Sequence, residues 1–210
     1  MKIIYLASGN AHKLHELQTA LDSAGLSVQV LGPDKIGGMP EVEETGSTFE
    51  ANALLKAYAL RKLGPANAYF LADDSGIEID ALDGQPGVIS ARYAGEPCDD
   101  EKNNDKVIKE MLTVPDNQRS CRFRCVLALV GEGVEETFAG VCEGTLLREG
   151  RGDGGFGYDP LFLPGESCHT FAEISPDEKA KISHRARALT KLLKKNIIIN
   201  ILLKNIFFIN

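Results

Sequence analysis

The chain has no surplus of positive charge: 23 lysines and arginines stand against 30 aspartates and glutamates in 210 residues, a net charge of −7. It therefore lacks the electrostatic footprint of a duplex nucleic-acid binder, and no nucleic-acid polymer is expected as a partner. A local pocket with a bridging cation still suits a small polyanion, so a nucleotide is not excluded. Five cysteines (Cys98, Cys121, Cys125, Cys142 and Cys168) form no Cys-x-x-Cys pair, and their number is odd. With no basic-then-apolar leader after Met1, a reduced cytoplasmic compartment is the expectation. No membrane span is expected either. The apolar run at residues 196–210 is too short, and too interrupted by Asn and Lys, to cross a bilayer. That tail breaks with the rest of the composition. It reads as translated A/T-rich sequence, an aggregation-prone end or a partner-binding strand, and composition does not choose among them.

What the chain does have is enough apolar content, 43%, for a core of ordinary size. Its length suits one large domain or a domain with an appended lobe. The organising stretch is residues 71–90. Residues 69–72 read as a short apolar strand that delivers Asp73 and Asp74 into Ser75-Gly76. Neighbouring carboxylates at a strand end bind a divalent cation or push one pKa upward. The plain alternative is a solvated Asp-Asp-Ser-Gly turn.

Residues 2–7 are a continuous apolar run suited to a buried central strand. Ser8-Gly9-Asn10 breaks the run, and Leu14, Leu17, Leu21 and Ala24 then recur at helical spacing up to Gly25. Strand, turn and helix leave backbone N–H groups and a positive dipole end at residues 9–13, where Lys13 can reach an anion. The Gly-Lys-Ser/Thr ending of a Walker loop is missing. His12 and His15, three apart, read as solvent-facing or as a metal pair.

Residues 26–31 alternate as a second strand. Ser47 followed by Glu50 is a capping-box signature for a helix running to about Leu63. Glu43 and Glu44 precede it and can add a third carboxylate to the Asp73–Asp74 site, or simply favour the helix N-terminus. Asn52 and Lys56 share one helix face, with Lys56 reading as a snorkelling side chain or a phosphate contact.

Further on, residues 77–82 alternate as a half-exposed strand, and Arg92 is a surface residue or an anion ligand. Residues 96–111 are charged and mostly helical. Residues 119–130 and 134–141 form a hairpin through Gly131-Glu132-Gly133 and suggest a second lobe, with Cys121 and Cys125 packing on one strand face. A glycine-rich loop from 148 to 164 permits close backbone approach to a ligand or is merely flexible, and it strands Phe156 and Tyr158 outside any core periodicity, where an exposed aromatic can stack on a base. Ser175-Pro176-Asp177-Glu178 caps a further helix. It carries Lys179, Lys181, His184, Arg185 and Arg187, read as a balancing basic face or as the cationic wall of an anion site.

Four pieces, in order, resemble the inosine/xanthosine triphosphate pyrophosphatase family. They are Ser8-Gly9-Asn10-Ala11-His12-Lys13; residues 43–50 with Asn52; Ala72-Asp73-Asp74-Ser75-Gly76 through Ser90-Ala91-Arg92-Tyr93; and residues 155–160 with Ser183-His184-Arg185. The resemblance covers about residues 1–195, as a single domain of two lobes, and leaves residues 196–210 outside. It implies an α/β fold, elongated and built on a mixed sheet, with a central cleft between the lobes. It also implies a homodimer that uses Mg²⁺ and hydrolyses ITP, dITP and XTP to the monophosphate and pyrophosphate.

Carried over by position, Ser8, Gly9, Asn10, Ala11, His12 and Lys13 form the triphosphate cradle. Asp74 is proton acceptor and metal ligand, Glu43 (or Glu44) the other metal carboxylate, and Ser75 a substrate contact. Asp73, Asn52 and Lys56 are supporting polar residues, Lys56 also holding the phosphate tail. Phe156, Gly157, Tyr158 and Asp159 form the base-binding loop, and Lys179 with His184 and Arg185 completes the purine pocket. A catalytically silent nucleotide sensor, or a related enzyme for modified pyrimidine nucleotides, are the competing expectations.

Overall fold

A computed structural model of the chain describes residues 2–165 and 167–195, with the side chain of His12 and the whole 196–210 tail outside the described residues. It is a mixed α/β fold on a six-stranded sheet of order β2-β1-β3-β4-β5-β6. The strands are β1 (Lys2–Leu6), β2 (Val28–Leu31), β3 (Tyr69–Ile79), β4 (Ser120–Gly131), β5 (Val134–Leu146) and β6 (Phe162–Pro164). The helices are α1 (Ala11–Ser23), α2 (Phe49–Arg61), α3 (Asp100–Glu110), α4 (Pro176–Ile182) and α5 (His184–Lys194). The chain divides into two compact units. Among the described residues, the first takes those up to Asp74, Val126–Ala139 and 188–195, and the second takes Ser75–Cys125 and Gly140–Arg187.

In the first unit β1 pairs in parallel with both neighbours, Lys2 opposite Val28 and Leu6 opposite Leu71. α1 connects β1 to β2 on one side, and α2 returns from β2 across β1 to β3. Right-handed crossovers in opposite directions put the two helices on opposite faces of the sheet. Leu17 and Leu21 of α1 and Ala53, Ala57 and Leu60 of α2 are buried, as are Leu6, Phe70 and Leu71 on the strands. The chain reverses its direction of winding at β1, and ligands of such sheets collect beyond the carboxyl ends of the strands.

The core of the second unit joins Ile77 and Ile79 of β3, Val107 and Met111, Cys121 and Phe123 of β4, and Phe162 with Phe171. Phe123 meets Phe162 edge-on at 4.7 Å and stacks on Phe171 at 5.9 Å. Arg119 is buried and donates to the carbonyls of Met111, Leu146 and Leu147, tying the end of α3 to β5.

Four expectations need correction. The Asp pair does not sit where a strand gives way to a turn, because β3 runs unbroken through both aspartates to Ile79. Residues 77–82 are accordingly not a separate strand: Ile77 and Ile79 are buried and Glu78 is part-exposed, as the alternation predicts, but they form the end of β3, and Asp80–Leu82 is a 3₁₀ turn. α2 is capped by Thr48, whose hydroxyl accepts from the Ala51 N–H, and not by Ser47; burial of Phe49 at the first helical position sets that register. The 119–141 hairpin is no lobe of its own. Each of its strands changes unit, β4 after Cys125 and β5 after Ala139, since the apolar run 126–130 packs into the first unit's core.

Candidate active site

The acidic centre of the first unit is built where β3 carries Asp73 and Asp74. Successive strand residues face opposite ways, so the two carboxylates turn to different helices. Lys13 of α1 reaches Asp73 with Nζ–Oδ1 2.5 Å, and Lys56 of α2 reaches Asp74 with Nζ–Oδ1 2.6 Å. That pairing lets two adjacent aspartates stay inside a buried strand, for each charge leaving water finds an ammonium group.

Lys56 also pairs with Glu44 at 3.3 Å, whereas Glu43 is exposed. Three carboxylates thus surround two ammonium groups. Burial, first of all, pushes the Asp74 carboxyl above the usual carboxylate range. The charge and hydrogen bond of Lys56 oppose the rise, and the negative charges of Glu44 and Asp73 add to it. For Lys56 burial works against the charged form, yet the attraction of Asp74, Glu44 and Asp73 prevails and holds its pKa above the ordinary lysine value. The cluster as a whole favours added positive charge.

The turn after β1 leads into α1. The Ser8 hydroxyl accepts from the Asn10 N–H at 3.1 Å, and Asn10 Oδ1 accepts from the Lys13 N–H at 3.3 Å. Asn10 so caps the helix, and the first-turn N–H groups stand near Lys13 at the carboxyl end of β1, the arrangement that receives anions. Asn52 is wholly buried on α2. Its Oδ1 accepts from the Gly46 N–H at 2.8 Å and closes the acidic 43–47 loop onto the helix. His15 is exposed. Lys56 does not snorkel to water but ends in the ion pairs with Asp74 and Glu44.

Asp74 Oδ2 is buried and no donor reaches it among the described residues. An orphaned carboxylate oxygen beside Glu44, in a centre short of positive charge, fits a hard divalent cation. Magnesium characteristically takes one or two carboxylates and completes its shell with water and substrate phosphate. Among the described residues no group of three or more His, Cys, Asp and Glu side chains forms a ready-made metal centre.

The second unit holds the other set of expected residues. Phe156 is 47% exposed in its glycine-rich loop, with Lys179 Nζ 4.6 Å from the ring centroid. Asp159 is buried; its Oδ2 accepts from the Phe156 N–H at 2.9 Å and from Lys179 Nζ. Gly155 has φ +73°, and a Cβ there would lie 2.2 Å from Asp159 Oδ2, so only glycine lets the loop close on this carboxylate.

Tyr158 is not stranded as its neighbour is. It is buried, and its hydroxyl donates to the Ser90 carbonyl at 2.8 Å. The two aromatics flanking Gly157 therefore differ: one is presented outward and the other anchors.

The basic stretch 179–187 breaks at Ser183, an extended residue between α4 and α5. Ser175 and Glu178 form the expected capping box of α4. Beyond the break, His184 and Arg185 are buried, so the balancing surface face is excluded at these two positions. His184 stacks on Phe123 at 4.8 Å and 14°, and Arg185 donates to the Ser75 hydroxyl at 3.3 Å. Ser75 follows directly after Asp74 in the chain. Sequence reasoning passed over Asp100 and Asn104 of α3, which hold the Gly157 peptide; their spacing of four in a charged helix was the only available signal.

A family model described as the Ham1 family matches residues 4–195. A dITP/XTP pyrophosphatase of Oceanobacillus iheyensis is 48% identical over 198 residues, covering 92% of this chain and 98% of that protein. The dITP/XTP pyrophosphatase of Bacillus subtilis is 48% identical over 195 residues, covering 92% and 96%. Among solved structures, the Ham1 protein of Staphylococcus aureus superimposes with a TM-score of 0.82 at 37% identity, covering 91% of this chain and 96% of that one.

Proposed function

This chain belongs to the Ham1 family, and from that premise we propose that it hydrolyses non-standard purine nucleoside triphosphates, of the ITP, dITP and XTP kind, to the monophosphate and pyrophosphate. The observation that carries the chemistry is the pair Asp73–Asp74, each on its own lysine, with Asp74 Oδ2 left without a donor among the described residues.

The reaction is attack of water on the α-phosphorus. A water O–P bond forms, the P–O bond to the β-phosphate breaks, and pyrophosphate departs with the electron pair. Asp74 takes the proton of the attacking water, while Lys56 holds Oδ1 and fixes the plane of the carboxylate. A carboxyl raised above its usual pKa is a better proton acceptor than an ordinary one. Lys13 and the N–H groups of residues 9–13 receive phosphate oxygens, with Asp73 keeping Lys13 extended until a phosphate competes for it. Asp74 with Glu43 or Glu44 would hold Mg²⁺, Glu44 being the carboxylate already beside Lys56. When bound, the cation neutralises charge gathering on the phosphoryl oxygens.

In the second unit, Phe156 offers a face to the purine. His184 and Arg185 are donors for a 6-oxo group, and an adenine 6-amino group would leave them unmatched, a mismatch that polar sites reject strongly. A cytoplasmic location and a homodimer belong to the same proposal. Among the described residues no helix is long and apolar enough to cross a membrane.

The test is pyrophosphate release from ITP, dITP, XTP, GTP, ATP and dTTP, with and without Mg²⁺, on the full chain. Release from the first three well above ATP, dependent on Mg²⁺, is expected. Equal turnover of ITP and dTTP would remove the purine assignment, and nucleotide binding without any release would reduce the protein to a sensor.

A further inference from the structure

We infer that Asp100 and Asn104 are positioning residues for the aromatic loop, acting through both polar groups of Gly157. Asp100 Oδ2 accepts from the Gly157 N–H at 2.7 Å, and Asn104 Nδ2 donates to the Gly157 carbonyl at 2.9 Å. The two lie four apart on α3, one turn along a single face, so one rigid stretch of helix holds the peptide groups on either side of one residue. Gly157 has φ +60° and stands between outward-facing Phe156 and buried Tyr158.

Phe156 has little packing to fix it. Its exposed ring is addressed by the Lys179 ammonium, and its backbone by Asp159. What sets the direction of the ring is therefore the backbone of residues 155–159, and α3 supplies the outer anchor of that backbone. The same helix fixes a second segment. Asn103 accepts from the Ala94 N–H at 2.7 Å and donates to the Ala91 carbonyl at 2.9 Å, and Lys106 donates to the Tyr93 carbonyl at 2.8 Å. Tyr158 then ties the loop to Ser90 at the start of that segment. α3, which carries none of the expected site residues, is the bracket that holds both.

Asp100 is needed as an acceptor and Asn104 as a donor, and that difference separates positioning from bulk. Asp100→Asn keeps an acceptor oxygen for the Gly157 N–H. Asn104→Asp is nearly isosteric but replaces the donor with a carboxylate facing a carbonyl. The inference rests on the reading that Phe156 meets the base, and the experiment separates the two. With ITP as substrate, Asn104→Asp raises KM by about tenfold, the scale of one lost hydrogen bond with its partner left unmet, while kcat falls far less. Asp100→Asn stays within about twofold of the parent. In a Phe156→Ala background Asn104→Asp adds nothing further, since no ring remains to misplace.

A second readout is independent of turnover. The chain contains no tryptophan, so Phe156→Trp carries a single fluorescent reporter, and Asn104→Asp in that protein changes its acrylamide quenching whereas Asp100→Asn does not. Unchanged quenching and an unchanged KM in Asn104→Asp would overturn the bracket. Altered quenching with no release from ITP by the parent would uphold the bracket and sink the base-contact reading alone.

Discussion

Lys56 Nζ lies 2.6 Å from Asp74 Oδ1 and 3.3 Å from Glu44, so one ammonium on α2 serves two carboxylates. Asp73, one residue earlier on the strand, is answered by Lys13 from α1 instead. The consequences of that unequal sharing can be measured.

Asp74→Asn is expected to lower kcat by about 10²- to 10⁴-fold, the contribution of a positioned proton acceptor. Thermal stability should hold or rise. The folded protein raises the carboxyl's pKa and so disfavours its charge, and the amide relieves repulsion with Glu44 and Asp73. Calorimetry beside a kinetic assay checks both directions, and wild-type-like turnover would remove Asp74 from the chemistry.

Lys56→Met should act the other way on stability. It leaves two carboxylates in a largely buried setting without their counter-charge, and breaking such a pair costs about 3 kcal/mol. Adding Asp74→Asn should recover part of that loss. Denaturant titration of the two single variants and the double variant gives the coupling directly, and strict additivity would contradict the shared pair.

Phe156→Ala should weaken binding of ITP by about 1–3 kcal/mol through lost stacking. Its effect on folding should stay within about 0.5 kcal/mol, because the ring is half exposed. Inosine monophosphate titration and a melting curve on the same sample separate the two effects. A large fall in stability would show that the ring belongs to the core.

Cys98 and Cys168 are exposed, whereas Cys121, Cys125 and Cys142 are buried. A thiol reagent at pH 8 should therefore modify two thiols per folded chain and all five after unfolding. Burial pushes the Cys121 thiol up to about 12, with the nearby Asp80 adding to the rise. A thiol raised in the folded state leaves stability untouched at neutral pH. Stability is then lost as pH rises above the unfolded thiol's ordinary value of 9.0 towards 12, because only the unfolded chain releases that proton. The alkaline slope of unfolding free energy should be shallower in Cys121→Ala than in the parent.

The sequence made the order of pieces legible: strand, glycine turn and helix at the start, the capped α2, the Asp pair, the glycine loop and the basic stretch. What it could not make legible are the partners across distance. Adjacent aspartates look like a turn until lysines 60 and 18 residues away are seen to neutralise them inside β3. Ser47 and Thr48 are both good caps, and only the burial of Phe49 chooses between them. Phe156 and Tyr158 are equivalent in local pattern. The carbonyl that claims Tyr158 belongs to Ser90, 68 residues earlier, and no periodicity within the loop signals it. The backbone grip of Asp100 and Asn104 escaped for the same reason, because a spacing of four on a charged helix places both on one face without naming the glycine peptide 57 and 53 residues away that they hold.

The short loop between Gly155 and Asp159 is fastened at each residue: by a carboxylate that only glycine clears, by two helix side chains on one peptide, and by a tyrosine hydroxyl on Ser90. Its length is consequently not negotiable. One inserted residue would put the Phe156 amide out of reach of Asp159 and swap which aromatic is sunk and which is shown. Variation at this edge of the molecule is thus confined to the identity of the single side chain on display, and a designer wishing to change the surface this loop presents has one position to work with and no slack in the chain around it.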